Sequence, residues 1–288
     1  TTLFRSLLPS YREHVATYIK GVPLSETLTY WMGDERGNSV DEDVNVFPIA
    51  VPIATQIPHA TGLSWASKLK GEEKAFLVYF GDGATSEGDF HEGLNFAGVF
   101  DVPAVFICNN NGWAISHPAD EQTASESYAG KASAYGLPGV VVDGMDPLAT
   151  YEVVEEALAK AKNPDAETRP TLIEAIQYRF GAHTTADDPT AYREDEEVEQ
   201  WKEWDPIPRM ETFLRERGSL DDESVDAIGE NVRETVADAI DRGTDVEADP
   251  EDLFADAYAE PTPRVEEGRE YLRRLREEYG DAALLEDE

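Results

Sequence analysis

Asp82 and Asn111 carry the oxygens in this chain best suited to a hard cation. Both stand in Gly81–Asn111, GDGATSEGDFHEGLNFAGVFDVPAVFICNNN. Asp82 offers a carboxylate and Asn111 a neutral amide oxygen. Mg²⁺ takes few protein ligands of this kind, accepts a backbone carbonyl beside them, and finishes its shell with water and phosphate oxygens. Gly81 and Gly83 flank the carboxylate and let the backbone approach a bulky anion. A Gly-Asp-Gly word by itself is weak evidence, equally at home in a plain glycine turn. Followed by 26 residues and then Asn110-Asn111, each part at the end of a strand, it is specific.

The elements that must bring these oxygens together are legible around them. Ala75–Phe80 is a short, bulky apolar run that reads as a buried strand. Gly81-Asp82-Gly83 breaks it with a tight turn. From Ser86 the spacing predicts a helix with Phe90, Leu94 and Ala97 on one face. Asp101-Val102-Pro103 ends it, and Ala104–Cys108 reads as a second buried strand. Open parallel sheets bind ligands beyond the carboxyl ends of their strands, where both polar words fall. Further strands are read at Gly139–Asp143 and Thr171–Gln177. The helix between them, Pro147–Lys162, has Leu148, Tyr151, Val154 and Leu158 along one face. The predicted fold class is α/β, a doubly wound, mostly parallel sheet.

Upstream, Leu24–Met32 reads as a short amphipathic helix, Asp34–Asp43 as a polar loop and Phe47–Pro52 as an extended run. A helix is predicted from Pro52 to about Lys70 despite Pro58. Its small residues Ala54, Ala60, Thr61, Gly62 and Ala66 suit close packing. From Glu194 the chain turns acidic and helical, with helices at Pro208–Arg217, Asp221–Asp241 and Val265–Tyr279. Leu253, Phe254 and Tyr258 are read as packing against the main body or a partner. The reading divides the chain into an α/β domain over 1–200 and a helical extension over 201–288 of the same compact unit.

Acidic residues number 60 against 24 basic, a net charge of −36, which argues against binding nucleic acid or an anionic membrane. So large a charge repels itself in dilute buffer. At ~1 M salt the screening length falls to roughly 3 Å, so the acidity suits a protein of high-salt surroundings. The single cysteine, Cys108, lies in a predicted buried strand and reads as an inert thiol. No signal peptide and no run of 18 apolar residues is present, which predicts a cytoplasmic protein.

The Gly81–Asn111 pattern resembles the thiamine-diphosphate motif. The words Tyr11-Arg12-Glu13, Pro52–Pro58, Gly81–Asp89, Asn110–Ser116 and Tyr178–Arg193 widen the likeness to most of residues 10–215. In their order and spacing they resemble the α subunit of the first component, E1, of 2-oxoacid dehydrogenase complexes, and most of all the branched-chain type. The resemblance implies a thiamine-diphosphate-binding fold with thiamine diphosphate and Mg²⁺. It implies oxidative decarboxylation of a branched-chain 2-oxo acid and acyl transfer to lipoyl groups of E2. In that family the carboxylate at the pyrimidine nitrogen comes from the β subunit, and this chain has no motif for it. An α2β2 heterotetramer with an E1 β subunit is therefore implied, with the lipoyl domain of E2 as a further partner.

Carried over residue by residue, Tyr11 and Arg12 contact the diphosphate, for which a guanidinium is a bidentate donor. Val51 and Ile53 meet the aminopyrimidine ring. Gly83 and Ala84 follow the metal ligand Asp82 as cofactor contacts. Asn111 and the Trp113 backbone carbonyl complete the protein ligands to Mg²⁺; relatives often have Tyr at 113. Pro52, Thr55 and Gln56 match a potassium site, with plain N-cap hydrogen bonds as the alternative. Asn109 departs from the family, whose branched-chain members tend to have an arginine there reaching the diphosphate. His183 is the implied catalytic and cofactor-contacting histidine, able to exchange protons near neutrality. His14, His59, His91 and His117 lack its context. Thr184 stands where mammalian relatives carry a regulatory serine. Family α chains also have a further segment ahead of Tyr11, expected to be missing here. Two alternatives stay open: a pyruvate or acetoin dehydrogenase E1 α subunit, and a non-catalytic scaffold of the same fold.

Overall fold

Five apolar strands pair side by side, every one parallel to its neighbour. The computed structural model describes residues 6–41, 43–49, 51–244, 249–255 and 258–284. In chain order the strands are β1 (Ser6–Leu8), β2 (Phe76–Gly81), β3 (Ala104–Asn110), the short β4 (Trp113–Ala114) and β5 (His117–Pro118), then β6 (Gly139–Asp143) and β7 (Thr171–Ile176). The main sheet runs β1-β2-β3-β7-β6, and β4 and β5 form a separate antiparallel pair. The helices are α1 (His14–Lys20), α2 (Leu24–Trp31), α3 (Gln56–Leu69), α4 (Gly88–Phe100), α5 (Ala119–Gln122), α6 (Pro147–Lys162), α7 (Asp195–Lys202), α8 (Pro206–Glu216), α9 (Asp222–Thr244), α10 (Asp252–Ala255), α11 (Pro263–Tyr279) and α12 (Asp281–Leu284).

Side chains alternate across a strand, so one apolar run feeds two cores. Phe76, Val78 and Phe80 of β2 join Phe106 and Cys108 of β3 on one face, under Ile57 and Ala60 of α3 and Phe90, Leu94 and Ala97 of α4. Leu77, Val105, Ile107 and Ile173 point to the other face, against Ala157, Leu158 and Ala161 of α6. Helices on both faces make the sheet doubly wound, as the residue pattern predicts. Cys108 is fully buried, and burial pushes its thiol pKa well up, so it is inert.

Several elements differ from expectation. The third helix begins at Gln56 rather than Pro52, because Ala54 sits at φ 69° and turns the chain first. Pro58 then falls in the first turn, where its missing N–H costs nothing. Gly62 and Ala66 face outward; the buried side of α3 is Gln56, Ile57, Ala60, Thr61, Ser64 and Ser67. On α6, Leu148 and Tyr151 are exposed, and the inward residues are Ala157, Leu158 and Ala161. Phe254 packs on Gly268 of α11, whereas Leu253 and Tyr258 are exposed. Residues 1–5, and Ala50 in the extended run before Pro52, lie outside the described residues. The late helices are tied back to the amino-terminal ones. Thr29 of α2 donates to the Gly243 carbonyl of α9 at 3.2 Å, and a Cβ on Gly243 would fall 3.0 Å from the Ser25 carbonyl oxygen.

On one face of the sheet α3 packs closely on α4. A Cβ on Gly93 would lie 2.7 Å from Ile57 Cγ2 and 3.1 Å from Pro58 N, and Thr61 donates to the Gly93 carbonyl at 3.0 Å. Gly93→Ala should therefore push α3 off its seat and cost about 1–3 kcal/mol in denaturant unfolding. Unchanged stability would mean that the two helices are not in this register.

Candidate active site

Gly81 of β2 pairs in register with Asn109 of β3, and Asn110 with Ile176 of β7. The residues that follow, Asp82 and Asn111, therefore leave neighbouring strands at the same end of the sheet. Asp82 is 1 % exposed. Burial pushes its carboxyl pKa up; hydrogen bonds from Gln122 and from the Asn111 and Gly83 backbone act against that. Gln122 Nε2 is 3.1 Å from Asp82 Oδ2. The turn after β3 is shaped by its own asparagines. Asn111 Oδ1 accepts from Trp113 N at 3.1 Å and Asn110 Oδ1 from Gly112 N at 3.2 Å, with Gly112 at φ 84°. Asn110 Nδ2 donates to Glu174 Oε1 at 2.8 Å, and the other Glu174 oxygen accepts from Ala129 N at 2.8 Å. Asp82, Asn111 and the buried Trp113 are thus held in one loop cluster.

His183 belongs to the loop that leaves β7. That loop is fastened to the Asn111 turn by Gln177 N to Asn110 O at 2.7 Å and Arg179 N to Asn111 O at 3.3 Å. Arg12 donates to His183 Nδ1 at 3.0 Å and also to the His183 carbonyl. A guanidinium only donates, so Nδ1 is the acceptor and the ring proton sits on Nε2. Tyr11 packs edge-on to His183 at 6.2 Å between ring centres. Burial lowers the His183 pKa; the Arg12 and Arg179 charges lower it further, and Asp187 opposes them. Asp187 accepts from His183 N at 2.6 Å and from the Tyr192 hydroxyl at 2.7 Å. Arg193 binds the Arg179 carbonyl and, at 2.9 Å, the Phe180 carbonyl. Arg179 donates to the Tyr192 hydroxyl at 2.6 Å and to the Ile115 carbonyl at 2.8 Å. Ile115 sits at φ 56°, a strained conformation for a β-branched residue, which that bond helps to hold.

The remaining candidates fall on the approach to α3. Val51, Pro52 and Ile53 are exposed, whereas Ala84, just past Asp82, is buried. Thr55 donates to the Pro52 carbonyl at 2.9 Å, and the buried Gln56 donates to the Tyr79 carbonyl at 2.8 Å. Asn109 is turned inward: its Nδ2 donates to Glu13 Oε1 at 2.8 Å and its Oδ1 accepts from Gln177 at 3.2 Å. Its amide is thus engaged inside the protein, and burial pushes the Glu13 carboxyl pKa up. Glu13, Gln122, Glu174 and Arg179 were not singled out from the sequence. Glu13 and Arg179 lie inside motif words, the one available signal; nothing local marks the other two.

The donor set suits the implied cofactor. Arg179 Nε and Nη1 are buried without a hydrogen-bond partner among the described residues, and the Arg179 charge acts on His183 together with that of Arg12. Unmatched N–H groups of this kind fit a ligand with several anionic oxygens, as a diphosphate has. A Cβ on Gly83 would fall 2.8 Å from Ala114 Cβ, so the backbone there has no room for a side chain. No cluster of three or more His, Cys, Asp or Glu able to hold a metal occurs among the described residues. One carboxylate with neutral oxygens suits Mg²⁺ rather than a thiolate or imidazole metal.

The sequence model of the family "Dehydrogenase E1 component" matches residues 5–251. The chain belongs to that family. This E1 chain is 45 % identical over 270 residues to the 3-methyl-2-oxobutanoate dehydrogenase subunit alpha of Mycobacterium tuberculosis, covering 93 % of this chain and 72 % of that protein. It is 40 % identical over 235 residues to the pyruvate dehydrogenase E1 component subunit alpha of Staphylococcus aureus, covering 81 % of this chain and 63 % of the relative. The Bacillus subtilis protein of the same description is 40 % identical, with 62 % of its length covered. The chain is thus an α-type E1 subunit of the thiamine-diphosphate-dependent 2-oxoacid dehydrogenases. No helix among the described residues is long and apolar enough to cross a membrane.

The Arg12–His183 pair makes a test of this geometry. Arg12→Met removes a cation that disfavours imidazolium and a donor that favours the neutral ring. The His183 pKa of the E1 chain should therefore rise back toward its ordinary 6.5. An NMR titration of the imidazole reads this directly; an unchanged or lower value would contradict the contact.

Proposed function

We propose that this E1 chain is the α subunit of a branched-chain 2-oxoacid dehydrogenase, working in an α2β2 assembly with an E1 β subunit and passing its acyl group to a lipoyl domain of E2. The observation that carries the reading is the convergence of Asp82, Asn111 and the Trp113 backbone with the Tyr11–Arg12–His183 cluster beyond the carboxyl ends of the strands. Arg179 links the two halves, since its backbone N–H donates to the Asn111 carbonyl at 3.3 Å and its side chain to the Ile115 carbonyl at 2.8 Å. The higher identity and longer match to the 3-methyl-2-oxobutanoate relative support the branched-chain substrate. The pyruvate dehydrogenase relatives support pyruvate as the second reading. A net charge of −36 supports function at high salt.

Thiamine diphosphate, when bound, supplies the carbon nucleophile that lets a 2-oxo acid lose CO₂ and hand on its acyl group. The protein's part is to bind and orient. Asp82, Asn111 Oδ1 and the Trp113 carbonyl would hold Mg²⁺. Tyr11, Arg12, Gly83 and Ala84 would hold the diphosphate, and Val51 and Ile53 would border the pyrimidine ring. Pro52, Thr55 and Gln56 would supply oxygens to K⁺. Asn109, engaged with Glu13, leaves the diphosphate charge to Arg12, with Arg179 beside it. His183 would give a proton to a dithiolane sulfur as the S–S bond opens. Its lowered pKa makes the imidazolium scarcer at neutral pH and a stronger acid.

Mixed with its β partner and a lipoyl acceptor in high salt, the chain should show its highest kcat/KM with branched-chain 2-oxo acids. Alone it should show no turnover. A preference for pyruvate in steady-state assay would overturn the substrate, and full turnover by the isolated chain would overturn the shared site.

His183→Ala should keep cofactor binding and lower the rate of reductive acylation by about 10²–10⁴-fold, the usual worth of general acid catalysis. Decarboxylation with an artificial electron acceptor should fall less. Equal loss in both assays, with faster proteolysis of the Tyr178–Arg193 loop, would show that His183 orders the loop instead.

A further inference from the structure

Gln122, the last residue of α5, is named by no motif and by none of the roles above. Its amide nitrogen makes two contacts, to Asp82 Oδ2 at 3.1 Å and to the His117 carbonyl at 3.3 Å. A carbonyl can only accept, and so can an ionised carboxylate. The nitrogen must therefore face them, and the two ends of the amide cannot be exchanged. This leaves the amide oxygen turned the other way. Gln122 Oε1 is buried and has no hydrogen-bond partner among the described residues. It lies beside Gly83, 3.9 Å from where a Cβ on that glycine would stand.

An orphaned buried acceptor is costly, so it points to a donor that the folded chain does not supply. A phosphate oxygen cannot be that donor. An amide oxygen can also ligate a cation directly, but here the amide nitrogen is the end turned to Asp82, which sets the oxygen off from a cation held on that carboxylate. A water in the shell of a divalent cation can donate: it is polarised by the metal and has protons to give. Mg²⁺ characteristically keeps such waters when few protein groups bind it.

Resting on the metal-site reading above, we infer that Gln122 is a positioning residue for that metal. Its Nε2 fixes one oxygen of Asp82 and so aims the other, and its Oε1 accepts a hydrogen bond from a metal-bound water. The β4–β5 pair carries this residue to the site, because its return through His117 and Pro118 leads directly into α5.

The test is a Mg²⁺ titration of thiamine diphosphate binding, followed by tryptophan fluorescence on the full chain with its β partner. Gln122→Met keeps the length and removes both amide functions. Its midpoint for Mg²⁺ should rise about 10–100-fold, the usual effect of losing a group that orients a metal ligand. Saturating Mg²⁺ should restore cofactor affinity. Thr123→Ala serves as the control: it removes the loop's own bond from Ser125 N, 3.2 Å long, without touching Asp82, and should leave the midpoint in place. A wild-type midpoint in Gln122→Met, or an equal shift in Thr123→Ala, would overturn the role of Gln122 while the metal site stands. If the wild-type protein binds thiamine diphosphate without needing Mg²⁺, the metal-site reading fails and takes this inference with it.

Discussion

A carboxylate taken out of water at the end of a parallel sheet is the constraint on which the rest of this site depends. Asp82 is almost wholly buried, and burial raises its pKa despite the hydrogen bonds that oppose it. A carboxyl whose folded pKa lies above its unfolded value lowers folded-state stability above that pKa. A cation bound there would return that stability and so couple the fold to its ligand. Until then the carboxylate rests on N–H groups: the Gln122 amide and the backbone of Asn111 and Gly83. Each exists because of a separate element. The β2–β3 register brings Asn111, the Gly-Asp-Gly turn brings Gly83, and the β4–β5 pair brings α5.

The His183 side is organised by the opposite charge. Arg179 and Arg193 occupy its loop, and Arg12 reaches it from the amino-terminal segment, in a chain that has 24 basic residues against 60 acidic. Arg193 and one end of Arg179 are occupied with carbonyls and hydroxyls of the loop itself. The other end of Arg179 is left buried without a hydrogen-bond partner among the described residues. A local positive patch inside a strongly negative molecule favours small anions there. Burial first, and then the charges of Arg12 and Arg179, keep the imidazole of His183 neutral over a wider pH range than a solvated one.

The pattern of residues by itself determined the parallel sheet, the helix between β2 and β3, the placement of Asp82 and Asn111 at strand ends, and that of His183 in a polar loop after a strand. These follow from local causes: the continuous apolar run Phe76–Phe80, the turn preference of glycine and the 3.6-residue spacing of Phe90, Leu94 and Ala97. Only the tertiary structure decided which polar groups face one another. Arg12 and His183 are 171 residues apart, Asn109 and Glu13 are 96 apart, and Asp82 and Gln122 are 40 apart. The late start of α3 came from a left-handed Ala54, and the outward turn of Leu148 and Tyr151 from where α6 meets the sheet. The physical reason is that each depends on a second element. Periodicity marks which residues share a face, but which face is buried, and which group answers a hydrogen bond or ion pair, is set by how the elements pack.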